Sequence, residues 1–192
     1  MPNLYIIAGC NGAGKTTASY TVLPEIWDCK EFVNADNIAV GLSPFNPEGV
    51  ALEAGRIMLT RIHELLEEGA DFAFETTLAT RSYVPFIKAA KGKGYHVALV
   101  YFWLDSPEQA IKRVANRVSN GGHHIPDNTV IRRYYRGLHN LTHLYIPHCD
   151  KWFVLDNMDL TPEIIAKCDE FGKAIINDEI WSIIQGQHNG IK

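Results

Sequence analysis

The chain has 192 residues, 46% of them hydrophobic and 21% charged, with a formal net charge of -4. This composition excludes a disordered or collagen-like protein, weighs against extended nucleic-acid binding, and fits one globular domain over residues 1–192. The longest apolar run, residues 97–104, is too short to span a bilayer, and the amino terminus carries no cleavable leader pattern, so a cytoplasmic protein is expected.

Residues 4–8 are continuously apolar, as a strand buried on both faces of a parallel sheet would be. The run Gly9-Cys10-Asn11-Gly12-Ala13-Gly14-Lys15-Thr16 follows at once and satisfies G-x-x-x-x-G-K-[ST]. Glycines in such a loop let successive backbone N–H groups curl around a phosphate, and the helix behind it turns the positive end of its dipole there. Residues 9–16, with Thr17 behind them, are therefore expected to hold a nucleotide. Lys15 would reach the outer phosphates and the Thr16 hydroxyl would hold Mg²⁺. Backbone N–H groups around Cys10 could lower its thiol pKa and invite oxidation, or the residue simply fills the loop.

A helix predicted over residues 15–23 stops at Pro24. Residues 31–35 read as a second strand ending at Asp36. Asn46 and Pro47 form a helix start, and apolar residues at helical spacing continue to Gly69. A third strand over 71–74 ends in Glu75-Thr76-Thr77, and a helix through Tyr83, Phe86, Ile87 and Ala90 runs to Gly92 and Gly94. Residues 96–104 make the fourth strand, and Ser106-Pro107-Glu108 opens a helix to Val118. A breaker-rich stretch over 119–126 precedes a helix from about 127 to 144 and a fifth strand over 151–155. A last amphipathic helix is predicted from Pro162, with Ile164, Ile165, Cys168, Phe171, Ile175 and Ile176 on its apolar side.

Strands alternating with helices argue for a three-layer α/β/α fold on a five-stranded parallel sheet with right-handed crossovers. Ligands of such sheets bind at the carboxyl ends of the strands, where the phosphate loop, Asp36, Glu75 and Asp105 all fall. Asp36 is placed to act as general base on an acceptor hydroxyl, to help hold Mg²⁺, or to cap a helix starting near Asn37. Glu75, with Thr76 and Thr77, is placed for metal or substrate contact, since a carboxylate at the end of an apolar strand needs a partner. Arg113 and Arg117, at i and i+4, and Arg133 and Arg136, at i and i+3, flank the Gly-Gly-His-His loop. They read either as a helical lid over about residues 113–136 or as a solvated basic face; guanidinium forks suit the charge that gathers on a transferring phosphoryl group. His123, in the loop, is placed to donate to a phosphate or to pack neutrally. His139 and His143 lack the acidic partner of a zinc motif and read as helix-surface residues, and the four dispersed cysteines form no C-x-x-C pair.

The phosphate loop, Asn34-Ala35-Asp36, Phe74-Glu75-Thr76-Thr77 and Gly121-Gly122-His123-His124-Ile125-Pro126 through Arg132-Arg133-Tyr134 together resemble the zeta-toxin-like P-loop kinases, over most of the chain. The nearest likeness is to compact bacterial members with a G-G-H-x-I-P segment in the lid. The resemblance implies strand order 2-3-1-4-5, ATP with Mg²⁺ as donor, and, from the best-known toxins, a UDP-N-acetylamino sugar as acceptor. It also implies Asp36 as base, Glu75 against the acceptor, and Arg117 and Arg133 on the phosphates. An antitoxin partner belongs to the family pattern without any sign of it in these residues. Small-molecule kinase is the first expectation; a nucleic-acid-end kinase and a nucleotide-dependent switch or toxin half are the alternatives.

Overall fold

The computed structural model describes residues 1–119, 121–122, 124–159 and 161–186. At its centre β1 (Asn3–Gly9) lies parallel between β3 (Phe72–Thr76) and β4 (His96–Trp103). Outside them, β2 (Glu31–Val33) pairs with β3 and β5 (Lys151–Asp156) with β4, both parallel. These five strands run in the order β2-β3-β1-β4-β5. Leu4, Ile6, Phe72, Phe74, Val97 and Leu99 are fully buried and, being in register, share one apolar face of the sheet, each contributing about 1.5–3 kcal/mol of transfer free energy. Between the strands lie α1 (Lys15–Thr21), α2 (Ala35–Leu42), α3 (Ala51–Glu68), α4 (Tyr83–Gly92), α5 (Pro107–Ser119) and α6 (Asp127–Asn140). Among the described residues no helix is long and apolar enough to cross a membrane.

The sheet does not stop at five strands, and it is not all parallel. β6 (Glu163–Asp169) pairs antiparallel with β5, and β7 (Gly172–Ile175) pairs antiparallel with β6. This hairpin replaces the helix expected from Pro162, and the last helix, α7 (Asp178–Gly186), begins only after it. The isoleucines that mimic a helical stripe are β-branched and suit a strand. Asp169 turns the chain by accepting the Phe171 N–H at 3.0 Å, and Gly172 at φ +100° completes a turn that a helix interior could not contain.

Three boundaries also differ from expectation. Pro24 does not halt the first helix at residue 23; α1 ends at Thr21 and passes into a wider five-residue turn, Val22–Ile26, closed by Trp27 N–H to the Val22 carbonyl at 3.2 Å. The helix expected to reach residue 144 likewise becomes a π turn over Leu141–Tyr145 after α6. The second strand ends at Val33, so α2 starts at Ala35 rather than near Asn37.

Candidate active site

The pairing of β1 with β3 sets Ile7 level with Glu75 and Ala8 level with Thr76, so the end of β3 stands directly beside the start of the phosphate loop. There Glu75 collects three partners. The Thr16 hydroxyl donates to Glu75 Oε2 at 2.7 Å, the Asn34 amide nitrogen donates to the same oxygen at 2.8 Å, and Lys15 Nζ lies 3.5 Å from Oε1. Lys15, only 6% exposed, also donates to the Cys10 carbonyl at 2.9 Å, spanning the loop it belongs to. The carboxylate that would be costly to bury alone is thus fully engaged.

Asn34 was not read from the sequence as a site residue, although it serves two structures at once. Its carbonyl oxygen accepts the Asp36 and Asn37 N–H groups at 2.8 and 3.3 Å, capping α2, while its amide faces Glu75. Its signals in the sequence are an Asn in N-cap position two residues before Asp36 and its place in the Asn34-Ala35-Asp36 motif. The capping role considered for Asp36 therefore belongs to Asn34. Asp36 sits in the first turn of α2 and lines the cleft above Thr16.

That cleft has a volume of about 620 Å³ and brings Lys15, Thr16, Asp36, Glu75, Thr76 and Thr77 together with Arg113, Arg117, Arg132, Arg133 and Arg136. Arg133 Nη1 donates to the Asn11 side-chain oxygen of the phosphate loop at 3.2 Å. Burial lowers the pKa of its guanidinium, and the charge of Asp36 opposes that fall. Arg113 Nη2 is tied to the Met158 carbonyl at 2.8 Å. Arg117 differs: its Nε and Nη2 are buried and have no hydrogen-bond partner among the described residues. Buried donors left in that state cost about 1–3 kcal/mol each, so an anion bound there recovers a substantial free energy. A second cavity of about 680 Å³ shares Thr16, Asp36 and Arg117 with the first and extends between Phe45 and Gly122.

His123, expected at the substrate, lies outside the described residues. Cys10 is buried, and burial pushes its thiol up to about 11 against the pull of Lys15, so of its two readings the sulfur fills the loop rather than being activated. His139 near the end of α6 and His143 in the π turn after it stack with ring centroids 4.5 Å apart, and among the described residues no group of three or more His, Cys, Asp or Glu side chains could hold a metal.

The model of the family described as Zeta toxin matches residues 43–157, which include Glu75 and all five cleft arginines. An uncharacterized protein of Haemophilus influenzae is 31% identical over 126 residues, covering 66% of this chain and 88% of that protein. Among solved structures, the AvrRxo1-ORF1:-ORF2 complex with ATP aligns at a TM-score of 0.80 and 17% identity over 100% of this chain, which spans 66% of the length of that one. The PezAT chromosomal toxin-antitoxin system of Streptococcus pneumoniae aligns at a TM-score of 0.64 and 16% identity, over 98% of this chain and 86% of that chain. At such identities the two structures establish the kinship of fold.

Proposed function

This chain belongs to the zeta toxin family, and on that footing we propose that it is a kinase, a single catalytic domain with a lid over about residues 113–136, that moves the γ-phosphoryl group of ATP to a hydroxyl of a small-molecule acceptor. The phosphate loop, residues 9–17, holds the triphosphate, with Arg113 beside it. Lys15 exchanges the Cys10 carbonyl for the outer phosphate oxygens. Asp36 orients the acceptor hydroxyl and takes its proton as the new O–P bond forms. The bond from the γ-phosphorus to the β-phosphate oxygen breaks in line, and ADP departs. Arg117 and Arg133 offset the charge spread over the transferring group. Glu75, Thr76 and Thr77 line the acceptor side.

The Thr16 hydroxyl and Glu75 carboxylate, 2.7 Å apart, form an oxygen donor set of the kind Mg²⁺ takes, with Asp36 close by. Held by Thr16 and Glu75, such an ion would supply neutralisation of phosphate charge.

The observation that carries this reading is the pair of Arg117 nitrogens without a hydrogen-bond partner among the described residues, buried in the same cleft as Asp36 and the Thr16–Glu75 contact. The test is incubation with ATP, Mg²⁺ and a panel of UDP-N-acetylamino sugars, nucleosides and small metabolites, followed by mass spectrometry for a gain of one phosphate. Turnover of no compound, with ATP binding intact, would redirect the reading to a nucleotide-dependent switch. A protein antitoxin is proposed as partner because the PezAT relative in fold is a toxin-antitoxin system; growth arrest on expression of the wild type alone tests it.

A further inference from the structure

Asn157, directly after β5, reaches back to the phosphate loop. Its backbone N–H donates to the Trp103 carbonyl at 3.0 Å, which fixes its place at the sheet's carboxyl edge. Its side-chain Nδ2 donates to the Ala13 carbonyl at 2.6 Å. The corner around it is rigid on both sides. Asp156 accepts the Met158 N–H at 3.0 Å, and the Met158 carbonyl accepts from Arg113 at 2.8 Å. A Cβ on Gly14 would fall 2.6 Å from Asn157 Nδ2, so this amide touches the peptide that joins Ala13 to Gly14.

In a planar trans peptide the C=O and N–H point in opposite directions. With the Ala13 carbonyl held outward by Asn157, the Gly14 N–H is turned toward the hollow of the loop. The Ala13 N–H is spent on the Cys10 carbonyl at 3.2 Å, whereas the amides that open α1 have no partner within their own helix. The Ala13 N–H is thus occupied, and the orientation of the next peptide decides whether Gly14 offers an inward donor.

We propose that Asn157 is a positioning residue for the nucleotide: by holding the Ala13 carbonyl it aims the Gly14 N–H at the β-phosphate. This rests on the nucleotide-binding reading of the cleft. Without the Asn157 donor the Ala13–Gly14 peptide is free to rotate, and a nucleoside diphosphate loses one oriented hydrogen bond while a monophosphate does not.

Calorimetric titration of the whole chain with ADP and AMP tests it, using Asn157→Ala and, as a second variant that keeps a branched side chain, Asn157→Leu. The expected result is a dissociation constant for ADP raised about tenfold with that for AMP unchanged. ADP affinity equal to wild type, a parallel loss for ADP and AMP, or failure of both variants to fold would each overturn the assignment. A wild type that takes up neither nucleotide would instead remove the functional reading on which it stands.

Discussion

Asp36 and Glu75 are both carboxylates at strand ends, and their surroundings separate their roles. Glu75 is locked by Thr16, Asn34 and Lys15, whereas Asp36 lies in the first turn of α2 at the junction of the two cavities. Replacing Asp36 by Asn preserves the helix start and the shape of the cleft but removes the proton acceptor. Transfer should fall by about 10²–10⁴-fold with ATP affinity retained; unchanged turnover in this variant would rule Asp36 out as base. Glu75→Gln should act differently, narrowing the gain in ATP affinity that Mg²⁺ confers, because a neutral amide is a poor ligand for a hard cation. Titrations with and without Mg²⁺ check this, and an undiminished gain would remove Glu75 from the metal site. Both carboxylates could be read in the sequence as acidic residues closing apolar strands. Asn34 could not, because its contact with Glu75 arises from the pairing of β2 with β3.

Helix α6 joins two functions that the sequence kept apart. Midway along it Arg133 reaches the phosphate loop, and at its end Asn140 and the following Tyr145 hold the loop after β3. In that loop Leu78 is fully buried at φ +55°, a conformation rarely taken by a bulky residue. Asn140 donates to the Leu78 carbonyl at 2.6 Å, and the Tyr145 hydroxyl donates to the Thr80 carbonyl at 2.6 Å. Gly137 permits this approach, since a Cβ there would lie 2.6 Å from the Thr77 carbonyl oxygen. Gly137→Ala should therefore cost about 1–3 kcal/mol in urea unfolding by overpacking, and should depress transfer beyond that loss by shifting Thr77. A variant as stable and active as wild type would show that the loop yields freely. Helical periodicity revealed α6 itself. It could not reveal which backbone the helix touches, because a glycine on a helix face gives no hint of its neighbour.

Across the whole molecule, the cleft occupies the carboxyl edge of the parallel strands while the β6–β7 hairpin and α7 extend the sheet at one side. Trp181 of α7 stacks on Trp152 of β5 with ring centroids 5.7 Å apart, and both rings are buried. Trp181→Ala should cost about 3–5 kcal/mol of stability. ATP affinity in the folded fraction should be unchanged, and a matching loss of affinity would mean that this edge reaches the site. At the opposite edge of the strands, Asp150 accepts from Lys91 at 2.6 Å and from the Val97 N–H at 2.9 Å. Burial works against its ionisation, but Lys91, the Val97 amide and His96 outweigh it and hold the carboxyl below its ordinary range. A depressed folded pKa adds stability that is fully present above the unfolded value of about 4 and is lost as pH falls through the folded value. Urea midpoints for Asp150→Asn should therefore vary less with pH below about 4 than those of wild type; parallel curves would assign the acid sensitivity elsewhere.

The sequence by itself determined the phosphate loop, the order of the parallel strands' elements and the arginines of α5 and α6. Each is written locally, in fixed spacing, in apolar runs or in helical periodicity. Only the tertiary structure decided that Asn34 and Glu75 share a contact, that Asn157 and Arg133 meet the loop at Ala13 and Asn11, and that the isoleucines after Pro162 form a hairpin. Those outcomes depend on pairing between residues remote in the chain. Strand register and the available sheet edge set them, and neither quantity is carried by any short stretch of sequence.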